Sequence, residues 1–196
     1  MELQNYNKEK LTFDLIKLNF YGVLAFVPII IIYVAPYCLI WNQELSIDIL
    51  KKVVAENELL ENGVYYSFSL LFIMILGIVA HELIHGITFS FFTKNGFKSI
   101  KFGVVWKMLT PYCHCNEPLL VKHYIVGGIM PAIILGFLPF IYSLITGNLL
   151  SLVFAIFFTA AAIGDFYIIF KLRNEDKNSM VLDHPSEVGC FIYREK

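Results

Sequence analysis

Four runs of the chain, residues 20–41, 64–92, 124–145 and 149–170, are apolar and long enough to cross a bilayer as helices. No other feature limits the fold as much, because in hydrocarbon every backbone N–H and C=O has to be paired within the protein. Composition agrees: 58% of the 196 residues are hydrophobic, 16% are charged, and the mean hydropathy is +0.67, far from the values of a soluble domain. The expected fold class is an all-α polytopic membrane protein with four transmembrane helices and a short β-like hairpin between the second and third. A single membrane-embedded domain over residues 1–196 is expected.

The connections orient these spans. Residues 1–18 read as an amphipathic lead-in, and the run that follows is too long and lacks a small-residue cleavage site for a signal peptide. Pro28 and Pro36 are expected to kink the first span, with Tyr21 and Trp41 at its interfaces. Residues 42–63 are acidic and read as a short helix on the membrane surface. Residues 93–122 carry Lys94, Lys98, Lys101, Lys107 and Lys122 against one acid, Glu117, and Ile100, Phe102, Val104 and Trp106 alternate as in a strand. Under the positive-inside rule the N-terminus, this connection and the tail, residues 171–196, belong in the cytoplasm. The expected location is therefore multi-pass in a bacterial plasma membrane.

Inside the second run stands His81-Glu82-Leu83-Ile84-His85. Residues four apart on a helix lie on one face, so His81 and His85 can hold one zinc ion together. Glu82 lies about 100° around the helix from His81, placed to take a proton from an attacking water rather than to bind metal. A charge at the centre of a membrane helix costs roughly 2.5–3.5 kcal/mol on insertion scales, so such a residue marks function or a buried partner. The competing reading is a polar helix–helix contact or a metal-free relic.

Asp165 is the only carboxylate in the last two runs. With both termini inside, the second and fourth spans run in the same direction, and the distances of His85 from Lys94 and of Asp165 from Lys171 put the two at similar depth. Two histidines and a carboxylate are a standard catalytic zinc set. Otherwise Asp165 would be a helix-end carboxylate paired with Lys171 or Arg173.

The remaining candidates are accessory. In Cys113-His114-Cys115, strand alternation sets the cysteines on one face and His114 on the other; further ligands at zinc spacing are missing, so these three read as residues lining an entrance, with Glu117 nearby. A cytoplasmic setting disfavours a disulfide. Cys38 and Cys190 read as packing residues and His123 as interfacial. In Asp183-His184-Pro185 the proline holds His184 extended, which either ends a turn in the tail or folds Asp183 or His184 back onto the site. No P-loop, dinucleotide fingerprint or basic-aromatic stripe is present, so neither nucleotide nor nucleic acid is expected as a partner.

Together these motifs resemble the site-2-protease-like intramembrane zinc metallopeptidases. They are more similar still to a small bacterial family of otherwise uncharacterised zincin peptidases: His81 to Gly86, Pro111 to Leu119, Gly164-Asp165, and Asp183 to Ser186. The resemblance implies Zn2+ held by His81, His85 and Asp165, Glu82 as general base, and peptide or transmembrane protein substrates cut near the bilayer. The chain departs from the better-known members in placing Gly164 before the aspartate and in having no Asn before Pro131. The expected function is a membrane-embedded zinc metallopeptidase acting near the cytoplasmic face. The alternatives are a non-catalytic metal-containing membrane protein that binds a peptide or partner helix, and a zinc hydrolase of lipid.

Overall fold

The structure, a computed structural model, describes residues 6–41, 58–106, 110–185, 187 and 189–195. The expected surface helix lies largely outside them, as do Lys107 and Ser186.

The apolar runs are helical. α1 spans Leu15–Ile40 with Pro28 and Pro36 in its interior, and α2 spans Glu58–Ser90. The third run starts as α3, Val121–Pro131, passes through a π-helix, Ala132–Phe137, and ends as α4, Leu138–Thr146. Gly147, in the left-handed region at φ 71°, closes α4, and Asn148 caps the next helix by accepting from Ser151 N–H. Trp41 pins this turn, its indole N–H donating to the Leu144 carbonyl at 3.0 Å.

Phe20–Ile40, Phe68–Ser90 and Val121–Thr146 are long and apolar enough to cross a membrane. The fourth run departs from the expectation of one continuous span. It forms α5, Leu149–Ala161, and α6, Ile163–Leu172, which meet at 46° and make a fourth crossing only if the bent pair is one span. Small residues, Ala160 to Ala162 and Gly164, occupy the break. It creates a helix N-terminus within an otherwise apolar run, and Asp165 falls in that first turn, where unpaired backbone N–H groups and the helix dipole favour a negative charge.

The expected hairpin is present: β2, Ile100–Val105, pairs antiparallel with β3, Thr110–Cys115. The all-α expectation is too narrow beyond it. A second, four-stranded antiparallel sheet is ordered β1-β6-β5-β4, from β1, Tyr6–Thr12, β4, Leu119–Leu120, β5, Met180–Asp183, and β6, Gly189–Glu195. The supposed amphipathic lead-in thus holds a strand, with Tyr6 opposite Glu195 and Thr12 opposite Gly189. Its run of Lys8, Glu9 and Lys10 hid it, since those charges find their partners only across the sheet. Arg194 pairs with Glu9 and Glu175, and the Lys8 ammonium lies 3.6 Å from the centre of the Phe191 ring.

Where the helices meet this sheet, Phe89, Ile100, Leu119, Val121, Tyr124, Leu172 and Val181 are buried together. This core abuts the second half of the His-Glu-Leu-Ile-His stretch and fixes what surrounds it.

Candidate metal centre

Much of α2 is exposed, but His81 and His85 are 8% and 6% exposed. Helical spacing stacks them on one face with ring centres 4.9 Å apart. Asp165 comes to them from α6: its Oδ2 lies 3.2 Å from His81 Nε2 and its Oδ1 lies 3.3 Å from His85 Nε2. The three donors lie within 4.8 Å of one another, which is close enough for one ion. Two ligands each about 2.0–2.1 Å from a tetrahedral zinc stand about 3.4 Å apart, so the donor types fit and each histidine nitrogen already has an aspartate oxygen at about that spacing. Lys171 and Arg173, the alternative partners for Asp165, lie instead over the rings of Tyr167 and Phe170.

The supports of each side chain come from other elements. His85 Nδ1–H donates to the Gly127 carbonyl of α3 at 2.9 Å, which turns Nε2 toward Asp165 and makes it the nitrogen available to a metal. This approach depends on Gly127 itself, because a Cβ there would stand 2.2 Å from the Phe89 ring. Gly86 does the same on the next side: a Cβ would stand 2.4 Å from the Phe102 ring, so β2 can lie against the helix beside the motif. His81 Nδ1 is buried and has no hydrogen-bond partner among the described residues.

Glu82 is half-buried beside the two histidines, and the backbone N–H of Cys113 in β3 is turned toward its carboxylate. The ladder explains this contact. Asn116 N–H donates to the Ser99 carbonyl, which sets the phase so that the N–H groups of Cys113 and Cys115 point away from β2.

The cysteine side chains turn into the core: Cys115 is buried and Cys113 packs against the same cluster. Burial pushes the Cys115 thiol up to about 11 and Cys113 higher still, so neither is a thiolate near neutral pH. His114 lies on the other face of the strand and is not one of the clustered donors. Glu117 caps the loop before β2, accepting from the Lys94 and Asn95 N–H groups, the Asn95 amide and the Ser99 hydroxyl. The Ser99 hydroxyl contributes most to holding its carboxyl below the ordinary value. His123 stacks on Phe92 with ring centres 4.2 Å apart.

The tail strand packs beside β3 and α3 without adding a donor to the cluster. Asp183 accepts from the Cys115 N–H at 2.7 Å and from the Tyr124 hydroxyl at 2.6 Å, whereas His184 packs on Phe191 and accepts from the Glu187 N–H. The Gly127 carbonyl, the Cys113 N–H and the Tyr124 hydroxyl escaped the sequence reading. The first two are backbone groups with no side-chain signature, and Tyr124 has the look of an ordinary boundary aromatic.

A family model described as "Putative zincin peptidase" matches residues 74–180, more than half of the chain, a stretch that contains His81, Glu82, His85 and Asp165. No curated protein and no solved structure matches the chain.

Proposed function

The chain belongs to the zincin peptidase family whose model it matches, and from that membership we propose a membrane-embedded zinc metallopeptidase of the site-2-protease-like kind. Its substrates are peptide bonds of membrane or membrane-proximal proteins, cut near the cytoplasmic face. The observation that carries this reading is the convergence of His81, His85 and Asp165 beside Glu82.

His81, His85 and Asp165 would hold the zinc, which when bound supplies Lewis acidity for the peptide carbonyl and lowers the pKa of a water toward about 7. Glu82 takes the proton from the attacking water at its carboxylate and delivers it to the leaving amine. The Cys113 N–H steadies that carboxylate, and the Gly127 carbonyl holds His85 in its ligand tautomer. β2 pairs only with β3 among the described residues, so its outer edge can take an extended peptide by strand addition.

Topology has its own support. β1 precedes the first span, β4 sits between the second and third, and β5 and β6 follow the last, yet the four share one sheet. Hydrogen-bonded strands cannot be divided by a bilayer, so the N-terminus, the lysine-rich connection and the tail fall on one side, the cytoplasmic one by charge. A single domain with four spans follows if α5 and α6 cross as one bent span.

The Cys113 N–H turned toward Glu82 also offers that carboxylate a purely structural use, which favours as a second reading a non-catalytic metal protein that binds a peptide or partner helix. Zinc content and cleavage of a fluorogenic peptide library by detergent-purified protein, wild type beside Glu82→Gln, separate the readings. The peptidase reading expects about one zinc per chain in both proteins and cleavage reduced by about 10²–10⁴-fold in the variant. Zinc without cleavage in the wild type selects the second reading, and absence of zinc sinks both.

A further inference from the structure

We propose that Asp183, in the tail strand β5, is a positioning residue that sets both supports of the centre at once; this rests on the zinc-peptidase reading. Its two carboxylate oxygens are divided between two elements. Oδ2 accepts from the backbone N–H of Cys115 on β3, and Oδ1 accepts from the hydroxyl of Tyr124 on α3.

Each contact leads directly to a group at the site. Along the outward edge of β3, Cys113 is two residues from Cys115, about 6.8 Å, and its N–H is turned toward the Glu82 carboxylate. Along α3, Gly127 is three residues from Tyr124, about 4.5 Å of rise, and its carbonyl holds His85 Nδ1 at 2.9 Å. Packing reinforces the second route: Tyr124 stacks on Phe89 at 5.3 Å, and Phe89 on His85 at 5.9 Å. β3 and α3 both lie against β5, where the carboxylate joins them. Asp183 is not one of the clustered metal donors, and it follows the end of the family match at residue 180. Its part is to fix the strand that steadies the base relative to the helix that steadies a ligand.

A carboxylate suits this place because both partners donate, and two acceptor oxygens at a fixed separation can serve them together. Asparagine can also serve: its oxygen accepts from the Cys115 N–H, and its amide donates to Tyr124 once that hydroxyl rotates. Alanine cannot, and it strands two polar groups.

The test is a titration of the full-length, detergent-purified apo-protein with Co2+, read by the visible absorption of the ion, with Zn2+ competition for affinity. Asp183→Ala and Tyr124→Phe are expected to weaken binding by about 10–100-fold and to alter the cobalt spectrum. Asp183→Asn is expected to stay near wild type. Trp41→Phe, which removes the indole hydrogen bond to the Leu144 carbonyl at the opposite end of the third run, should leave the spectrum unchanged, so a general loss of stability cannot mimic the result. Wild-type affinity and spectrum in both Asp183→Ala and Tyr124→Phe would overturn the proposal. So would an Asn variant as impaired as the Ala variant, because the charge and not the two-way hydrogen bonding would then matter. Should Asp183→Ala fail to fold, Tyr124→Phe, which removes a single oxygen, and Asp183→Asn still decide. A wild-type protein that binds neither ion fails the zinc-peptidase reading itself, whereas binding that is insensitive to these variants fails only the role of Asp183.

Discussion

Asp165 Oδ1 lies 3.3 Å from His85 Nε2, although the hairpin and the whole third apolar run separate the two residues along the chain. The same carboxylate reaches His81 with its other oxygen. One side chain on α6 therefore completes a donor set begun by two on α2, and α6 presents it from its first turn, just past the break at Ala162.

Removing that side chain should remove the metal. Deleting a group that merely orients a zinc ligand costs about 10–100-fold in affinity, and loss of a ligand costs at least as much. Asp165→Ala is expected to carry little zinc where the wild type carries about one ion per chain. Elemental analysis of the two proteins purified side by side checks this; an undiminished zinc content in Asp165→Ala would rule Asp165 out as a ligand.

Gly127→Ala probes the approach of α3 to α2. The added methyl would stand 2.2 Å from the Phe89 ring, so the helices must separate and the His85 to Gly127 hydrogen bond must lengthen. A loss of about 1–3 kcal/mol in stability, the usual cost of overpacking, should be accompanied by weaker zinc binding. Thermal unfolding in detergent and zinc competition measure the two. Reducing the ring with Phe89→Leu in the same chain should recover part of each.

Glu117 should matter for stability and not for metal. Glu117→Ala is expected to cost about 1 kcal/mol, the usual worth of a side-chain cap, with unchanged zinc affinity. Its pH dependence follows from the lowered carboxyl: the folded state favours the ionised form, chiefly through the Ser99 hydroxyl. That contribution is complete above the ordinary value of 4.5 and is lost as pH falls below it. Glu175, held low by its hydrogen bonds from Arg194, acts in the same sense. The unfolding temperature should therefore drop on acidification through that window, and Glu117→Gln should flatten part of the drop.

Burial pushes the thiols of Cys115 and Cys190 up to about 11 and about 12. Both should resist alkylation at neutral pH in the folded protein, reacting at least about a hundredfold faster once it is denatured. Mass spectrometry of the modified peptides measures this. Rapid labelling of the native chain together with loss of zinc would instead tie these cysteines to the metal.

The sequence by itself determined the local features. Apolar runs of membrane length had to be helical, the four-residue spacing of His81 and His85 had to put them on one face, and Glu82 had to lie beside them, because helix geometry links each residue to its near neighbours. The alternation at Ile100, Phe102 and Val104 likewise announced β2, whose partner β3 follows within a few residues. The tertiary structure alone decided the remainder. β1 finds its partner at the far end of the chain, and neither strand has an apolar alternation strong enough to declare itself alone. The break between α5 and α6 falls among small apolar residues that a continuous helix would also accept, yet it gives Asp165 its place in a first turn. The groups that steady His85 and Glu82 are a carbonyl and an N–H, present in nearly every residue; only the packing of Gly127 against Phe89 and the hold of Asp183 on Tyr124 and Cys115 select which of them meet the site.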